Sequence, residues 1–271
     1  MDSILRQTIP VLVILLVVIA LEQASPRTRV PVRERFPGLI YLPALPILVL
    51  WAAWPLSFLW HQLGVHSVVS LRGLHPVIGI FVALLLLDFL RYLEHRLEHR
   101  FWWRVHSLHH AQSNVHAASI YAHPLIALPE FLVLSVPLSL IDIGVTGYVY
   151  IGMAVVFQDF VIHSPLRVHL GPLRRIFVDN RFHRIHHSLE SRHFGKNFGL
   201  MFTIWDQLFG TAHFPAKDEW PETGVEGMKS PQTISDILVH PFRSRSIENP
   251  ERDRPDRAPV SGVRPDLHQL R

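Results

Sequence analysis

Between Leu84 and His110 an apolar run, LLLLDFL, passes without interruption into RYLEHRLEHRFWWRVHSLHH, which carries five histidines. That junction constrains the fold more than any other stretch, because one rod must satisfy an apolar environment at one end and gather imidazoles at the other. Asp88, Tyr92, His95 and His99 stand at i, i+4, i+7 and i+11, and on an α-helix they share one face. His106, His109 and His110 follow as H-x-x-H-H, which on a helix brings three imidazoles to one side. The same pattern returns as His183, His186 and His187 in RFHRIHHS. In a chain this rich in histidine an H-x-x-H-H is expected by chance roughly 0.1 times; here it occurs twice.

The surrounding composition selects the environment. Hydrophobic residues make up 49% of the 271 residues and charged residues 18%, and the apolar ones come in blocks, as in an integral membrane protein. There is no cysteine, so nitrogen or oxygen must hold any metal. Fourteen of the nineteen histidines fall between His95 and His213. The net charge of +4 comes with arginines beside apolar segments and in the tail, a positive-inside pattern rather than a nucleic-acid surface. No glycine-rich phosphate motif is present.

In chain order, residues 8–21 read as an uncleaved first helix, since no small-x-small site follows as a signal peptide requires. The arginine-rich loop Glu22–Gly38 is then cytoplasmic. Residues 39–60 form a second span, with Trp51, Trp54 and Trp60 as an interfacial belt, and His61, His66 and His75 are loop or interface residues. A third span, about His75–Leu90, returns the chain to the cytoplasm. The apolar region 126–162 is broken by IDIG at 141–144; for both histidine clusters to build one site it must cross evenly, as two helices or a re-entrant hairpin. Beyond His163 the chain is amphipathic and basic, a cap on the membrane surface, and NFGLMFTIWDQLFGT at 197–211 reads as a short amphipathic element. The expected fold is an all-α integral membrane protein: about four to five membrane helices or re-entrant segments under a histidine-rich cytoplasmic helical cap. Its domains are 1–75, N-terminal membrane helices and linkers; 76–213, the catalytic domain; and 214–271, a polar tail with a disordered composition from about 243.

Six to ten convergent imidazoles exceed what one zinc ion requires, so the count points to two metals. Metal-bound histidines usually donate their other N–H to a carboxylate or carbonyl. Asp88 is the best-placed candidate for that role, followed by Asp159, Asp179, Asn180 and Glu190.

The ordered set of H-x3-H (His95, His99), H-x-x-H-H (His106, His109, His110), FQDFVIH (His163), HRIHHS (His183, His186, His187) and NFG...WDQLFGT resembles the sterol desaturase/fatty acid hydroxylase superfamily over about residues 80–213. The resemblance implies a non-haem di-iron oxygenase whose ligands are those nine histidines, with zinc as a substitute metal. It implies a lipid substrate drawn from the bilayer (sterol, fatty acyl or isoprenoid), attacked with O2 by hydroxylation or desaturation. Electrons would come from a separate ferredoxin, cytochrome or reductase, since no HPGG of a fused cytochrome module occurs. The implied location is the endoplasmic reticulum or a bacterial inner membrane, the latter being expected here, with the metals on the cytoplasmic side. His123, in AHPL, lacks the acid of the family's HPLE stretch and stays outside the ligand set; His116, His169, His193 and His213 read as surface residues or outer partners. The alternative is a membrane zinc-binding or transport protein, with Asp142 and Asp159 as its only path carboxylates.

Overall fold

A computed structural model describes residues 2–243, and the chain there is mostly helical. Helix α1 spans Asp2–Ala24, α2 Val32–Tyr41, α3 Leu45–Gln62, α4 Pro76–Phe101 and α5 Trp103–His110. A helical run from Pro124 contains α6 (Ala127–Glu130), a π turn (Phe131–Ser135) and α7 (Val136–Ser139), followed by α8 (Gly144–His163). The cap adds α9 (Asn180–His186), α10 (Ile204–Leu208) and α11 (Ile234–Arg243).

Local chemistry sets these boundaries. Proline is tolerated in a first helical turn, and Pro76 opens α4 after an extended His75. The 26 residues of α4 reach about 39 Å, and a bend at Trp102 starts α5 in a new direction. Pro137 offers no N–H to the carbonyl four residues back, and the helix carries its π turn just before it. Gly144 begins α8 at φ 73°, a left-handed conformation that glycine adopts without a Cβ penalty.

Two short strands orient the rods. β1 (Val69–Ser70) pairs in parallel with β2 (Ile141–Asp142), so the α3–α4 and α7–α8 connections meet at one end. From there α4 and α8 both run toward their histidines. The end of α1 reaches that same histidine end, where Arg27 N–H donates to Pro165 O at 2.7 Å. Packing along this bundle is apolar: Leu15 and Val18 of α1 meet Phe160 of α8 and Ala117 and Ala118.

Several expectations change. Residues 39–60 are not one rod: the chain turns at 42–44, beside Pro43, and α3 begins only at Leu45. The arginine-rich loop folds as α2, and its Arg35 is buried in an ion pair with Glu22, whose other oxygen accepts Ala117 N–H at 2.8 Å. By contrast, the apolar run and His95/His99 lie on one helix, α4, as their shared helix face predicts. The polar region after 214 contributes α11, whose Ile237 is buried with Leu108 of α5. Residues 244–271, where a disordered tail is expected, lie outside the described residues. Among the described residues α4 is the one helix long and apolar enough to cross a bilayer; Ile9–Ala24, Pro124–Ser139 and Gly147–His163 are shorter apolar helices.

Candidate metal centre

The nine histidines converge at one end of α4, α5, α8 and α9, and they divide into two groups. His95, His99, His106, His110 and His186 form one; His109, His163, His183 and His187 form the other; within each group the nitrogens offered lie within 4.8 Å of one another.

Helical geometry explains the division. Residues four apart stand above one another, while adjacent residues are about 100° apart. In α5, His106 and His110 therefore face the first group and His109 the second. In α9 the roles are exchanged: His183 and His187 face the second group, His186 the first. Each H-x-x-H-H thus bridges both groups instead of presenting three imidazoles to one side. His95 and His99 of α4 complete the first group, and His163, the last residue of α8, the second.

The spacing between rings is one that bound cations would suit. His110 Nε2 stands 3.1 Å from His99 Nε2, 3.2 Å from His106 Nε2 and 3.1 Å from His186 Nε2. A neutral imidazole has one N–H and satisfies one such contact; a metal at the centre satisfies all of them. The second group repeats the pattern, with Nε2 separations of 3.1 Å for His163 to His109, 2.9 Å for His183 to His163 and 3.1 Å for His187 to His183. Protonation is no remedy, because burial and then the neighbouring imidazoles hold His109, His110, His183, His186 and His187 well below the ordinary histidine range. Crowded, neutral, nitrogen-only donors suit iron or zinc.

Outer contacts aim the rings. His95 Nδ1 lies 3.0 Å from Phe198 O, and His186 Nδ1 2.8 Å from Lys196 O. His106 Nδ1 lies 2.8 Å from Glu98 Oε2, while His163 Nδ1 meets Asp159 through its backbone O at 2.7 Å and Oδ1 at 3.2 Å. The two carbonyls belong to the strap 196–202. Asn197, at φ 58°, tolerates that left-handed conformation better than most residues, and its amide donates to Phe182 O and His213 O. Asp206 accepts Phe198 N–H and Gly199 N–H, and a Cβ on Gly199 would stand 2.8 Å from Phe202 O.

Asp88 is therefore not a histidine partner. It accepts Met201 N–H, Phe202 N–H and Trp205 Nε1–H, tying the strap to α4. Asp179 caps α9, Asn180 donates to Ser164 O and Leu166 O, and Glu190 pairs with Arg192 at the surface. Asp159 alone among those candidates meets a histidine of the set. Glu98 and the two strap carbonyls were missed; Glu98 sits next to His99 but reaches back to α5 only because of the bend at Trp102. His61, His66 and His75 are exposed. His116 and His193 are buried, which removes the surface half of their reading and leaves the other, and His123 Nε2 lies 3.0 Å from Leu238 O of α11.

A cavity of about 600 Å³ opens beside both groups, lined by His95, His106, His109, His163 and His183. Leu45, Val105, Ile120, Ile126, Val155 and Val156 give it apolar walls. Arg91 lies on another side, 3.0 Å from both Glu94 and Glu130.

The family model described as "Fatty acid hydroxylase" matches residues 80–211, the stretch that holds all nine histidines and the strap. Residues 80–211 belong to the fatty acid hydroxylase family, within the sterol desaturase/fatty acid hydroxylase superfamily. Among curated proteins this chain is similar to an ornithine lipid hydroxylase of Rhizobium tropici, 31% identical over 61% of this chain and 50% of that protein. An alkylglycerol monooxygenase of Caenorhabditis elegans is 29% identical over 51% of this chain and 28% of its own length. A very-long-chain aldehyde decarbonylase of Oryza sativa is 27% identical over 56% and 25%. The chain spans half or less of the length of these curated relatives. No solved structure matches.

Proposed function

We propose that this fatty acid hydroxylase family member is a membrane-bound non-haem di-iron oxygenase that hydroxylates or desaturates a lipid with O2 and external electrons. The observation that carries the reading is the pair of imidazole groups, with Nε2 atoms about 3 Å apart, opening onto one largely apolar cavity. His95, His99, His106, His110 and His186 would hold one iron, and His109, His163, His183 and His187 the other. Bound there, two irons supply the O2-derived oxidizing power that an unpolarised C–H bond requires and that acid–base side chains lack.

The remaining work falls to the chain. Phe198 O, Lys196 O, Glu98 and Asp159 fix the ring orientations, so that the Nε2 atoms face the metals. The apolar walls of the cavity accept an aliphatic segment and exclude water from its reacting end. Membrane placement is supported by α4, whose apolar window is only 22% buried, and by exposed Trp51, Trp54, Phe58 and Leu59 on α3. With α4 in the bilayer, the metal end takes the cytoplasmic side implied by the arginine-rich α1–α2 region. The catalytic unit is residues 76–213. Zinc transport has less support: Asp142, one of its two path carboxylates, is paired with Arg72 beside β2, away from the histidine end.

The test is product formation in membranes supplied with an electron donor and a panel of acyl, ether-linked and sterol lipids. The wild type is expected to add one oxygen or remove two hydrogens, and His109→Ala and His186→Ala to abolish either product while remaining in the membrane. Equal turnover in both variants contradicts the proposal.

A further inference from the structure

A third cluster of ligating groups stands outside the nine-histidine centre. His193 follows a loop after α9, and His213 and Glu219 lie beyond α10; their donor atoms fall within 4.8 Å of one another. The side chain of His193 is fully buried. Its Nδ1 is held 2.8 Å from Ser188 Oγ, so Nε2 is the atom that faces Glu219 Oε1, at 3.1 Å. His213 Nε2 faces the other carboxylate oxygen at 3.4 Å, and the two rings stand 4.8 Å apart.

The 3.4 Å separation exceeds the usual range of a nitrogen–oxygen hydrogen bond. It fits a shared cation better: zinc bonds of about 2.0–2.1 Å in a tetrahedral shell place neighbouring ligand atoms about 3.3–3.4 Å apart. Two imidazoles and one carboxylate from separate segments form a familiar zinc donor set, with the fourth position left to water on the partly exposed His213 side. Glu219 also accepts Ala216 N–H at 2.8 Å and meets Arg192 at 2.8 Å. The backbone contact fixes the carboxylate, and the exposed Arg192 is the outer partner that a metal-bound carboxylate commonly has.

We infer that His193, His213 and Glu219 form a third, mononuclear site for a zinc-class divalent cation, separate from the nine-histidine centre. The ion clasps the 213–219 loop to the 188–193 segment. That segment leads directly from His187, and it is stitched to 222–224 by Leu189 N–H to Glu222 O and Gly224 N–H to His187 O. The clasp therefore braces the exit from α9 without touching the cavity.

The experiment is metal analysis of the full chain, reconstituted with iron under reducing conditions, then incubated with zinc and freed of excess. One tightly retained zinc per chain is expected in the wild type. His213→Ala and Glu219→Gln are expected to lose it with iron content unchanged. The paired His109→Ala and His186→Ala substitutions are expected to lose iron and keep the zinc, which separates this site from the proposed oxygenase centre. No retained zinc in the wild type, or equal zinc in His213→Ala and Glu219→Gln, overturns the inference. Zinc-edge X-ray absorption on the unmodified protein needs no variant: two imidazoles with oxygen neighbours are expected, and an all-imidazole shell overturns the assignment.

Discussion

Glu98 stands between two roles, a residue of the apolar-to-polar helix and a partner of His106 across the α4–α5 bend. Removing such an outer carboxylate typically costs about 10–100-fold in metal affinity. Glu98→Gln is therefore expected to shed metal faster into a chelator, with its secondary structure intact; unchanged retention would mean that Glu98 does not aim His106. Glu22 and Arg35 make a second test, because their ion pair is buried and Glu22 also accepts Ala117 N–H. Truncating either leaves an uncompensated charge, at a cost of about 3–5 kcal/mol. Arg35→Ala should unfold at clearly lower denaturant concentration, whereas Glu22→Leu combined with Arg35→Met should recover much of the loss. The histidines were legible in the sequence because the repeated H-x3-H and H-x-x-H-H spacings put imidazoles on neighbouring helix turns; how they divide into two groups was not, because the groups draw on α4, α5, α8 and α9 through tertiary packing. Asp88 was misread for the complementary reason: it does share the His95/His99 helix face, but its partners, at 201–205, are set by tertiary packing that no local spacing reveals.

Among the elements, the strap 196–202 links α10 to the metal centre. Its carbonyls meet His95 and His186, and its amides are held by Asp88 and Asp206. Gly199→Ala would push a Cβ to 2.8 Å from Phe202 O and 2.9 Å from Asp206 Oδ2, and relieving such overpacking costs about 1–3 kcal/mol. Lower thermal stability and weaker metal retention are expected together; a variant with wild-type stability and full metal content would show that the strap is not tightly seated. The motif NFG...WDQLFGT suggested an amphipathic element, but in α10 Asp206 is buried while Ile204 and Leu208 are exposed. Its main work is done by turns and caps, which carry no hydrophobic period. The break at 42–44 was obscured similarly: the prolines of 39–60 were visible, but an unbroken run of apolar residues outweighed them. α11 escaped notice because it lies in a stretch dominated by proline, glycine and charge, and packing of Ile237 and Leu108 stabilises it.

In the molecule as a whole, three parallel rods, α1, α4 and α8, end at one histidine-rich face, and the cap closes over it. Burying so many neutral imidazoles makes stability depend on acidity. For His109, His110, His183, His186 and His187 the folded-state pKa is lowered, by burial first and by neighbouring imidazoles second. The unfolded chain then binds more protons, so their contribution is fully present above the ordinary value of 6.5 and is lost as pH falls below it. Each such histidine adds up to about 1.4 kcal/mol per pH unit to that decline. Metal-free protein should lose thermal stability steeply between about pH 6.5 and 5, and metal-loaded protein should hold out to lower pH because bound imidazoles resist protonation. Coincident curves for the two forms would contradict neutral imidazoles acting as the ligands.

The central claim is that the two imidazole groups hold a pair of irons, and iron analysis with Mössbauer spectroscopy on detergent-purified, anaerobically reconstituted protein tests it most directly. Two irons per chain, one for each group, with the signature of a magnetically coupled ferric pair after exposure to O2, is the predicted result. Protein that takes up no iron in these groups and fills them only with zinc would contradict it.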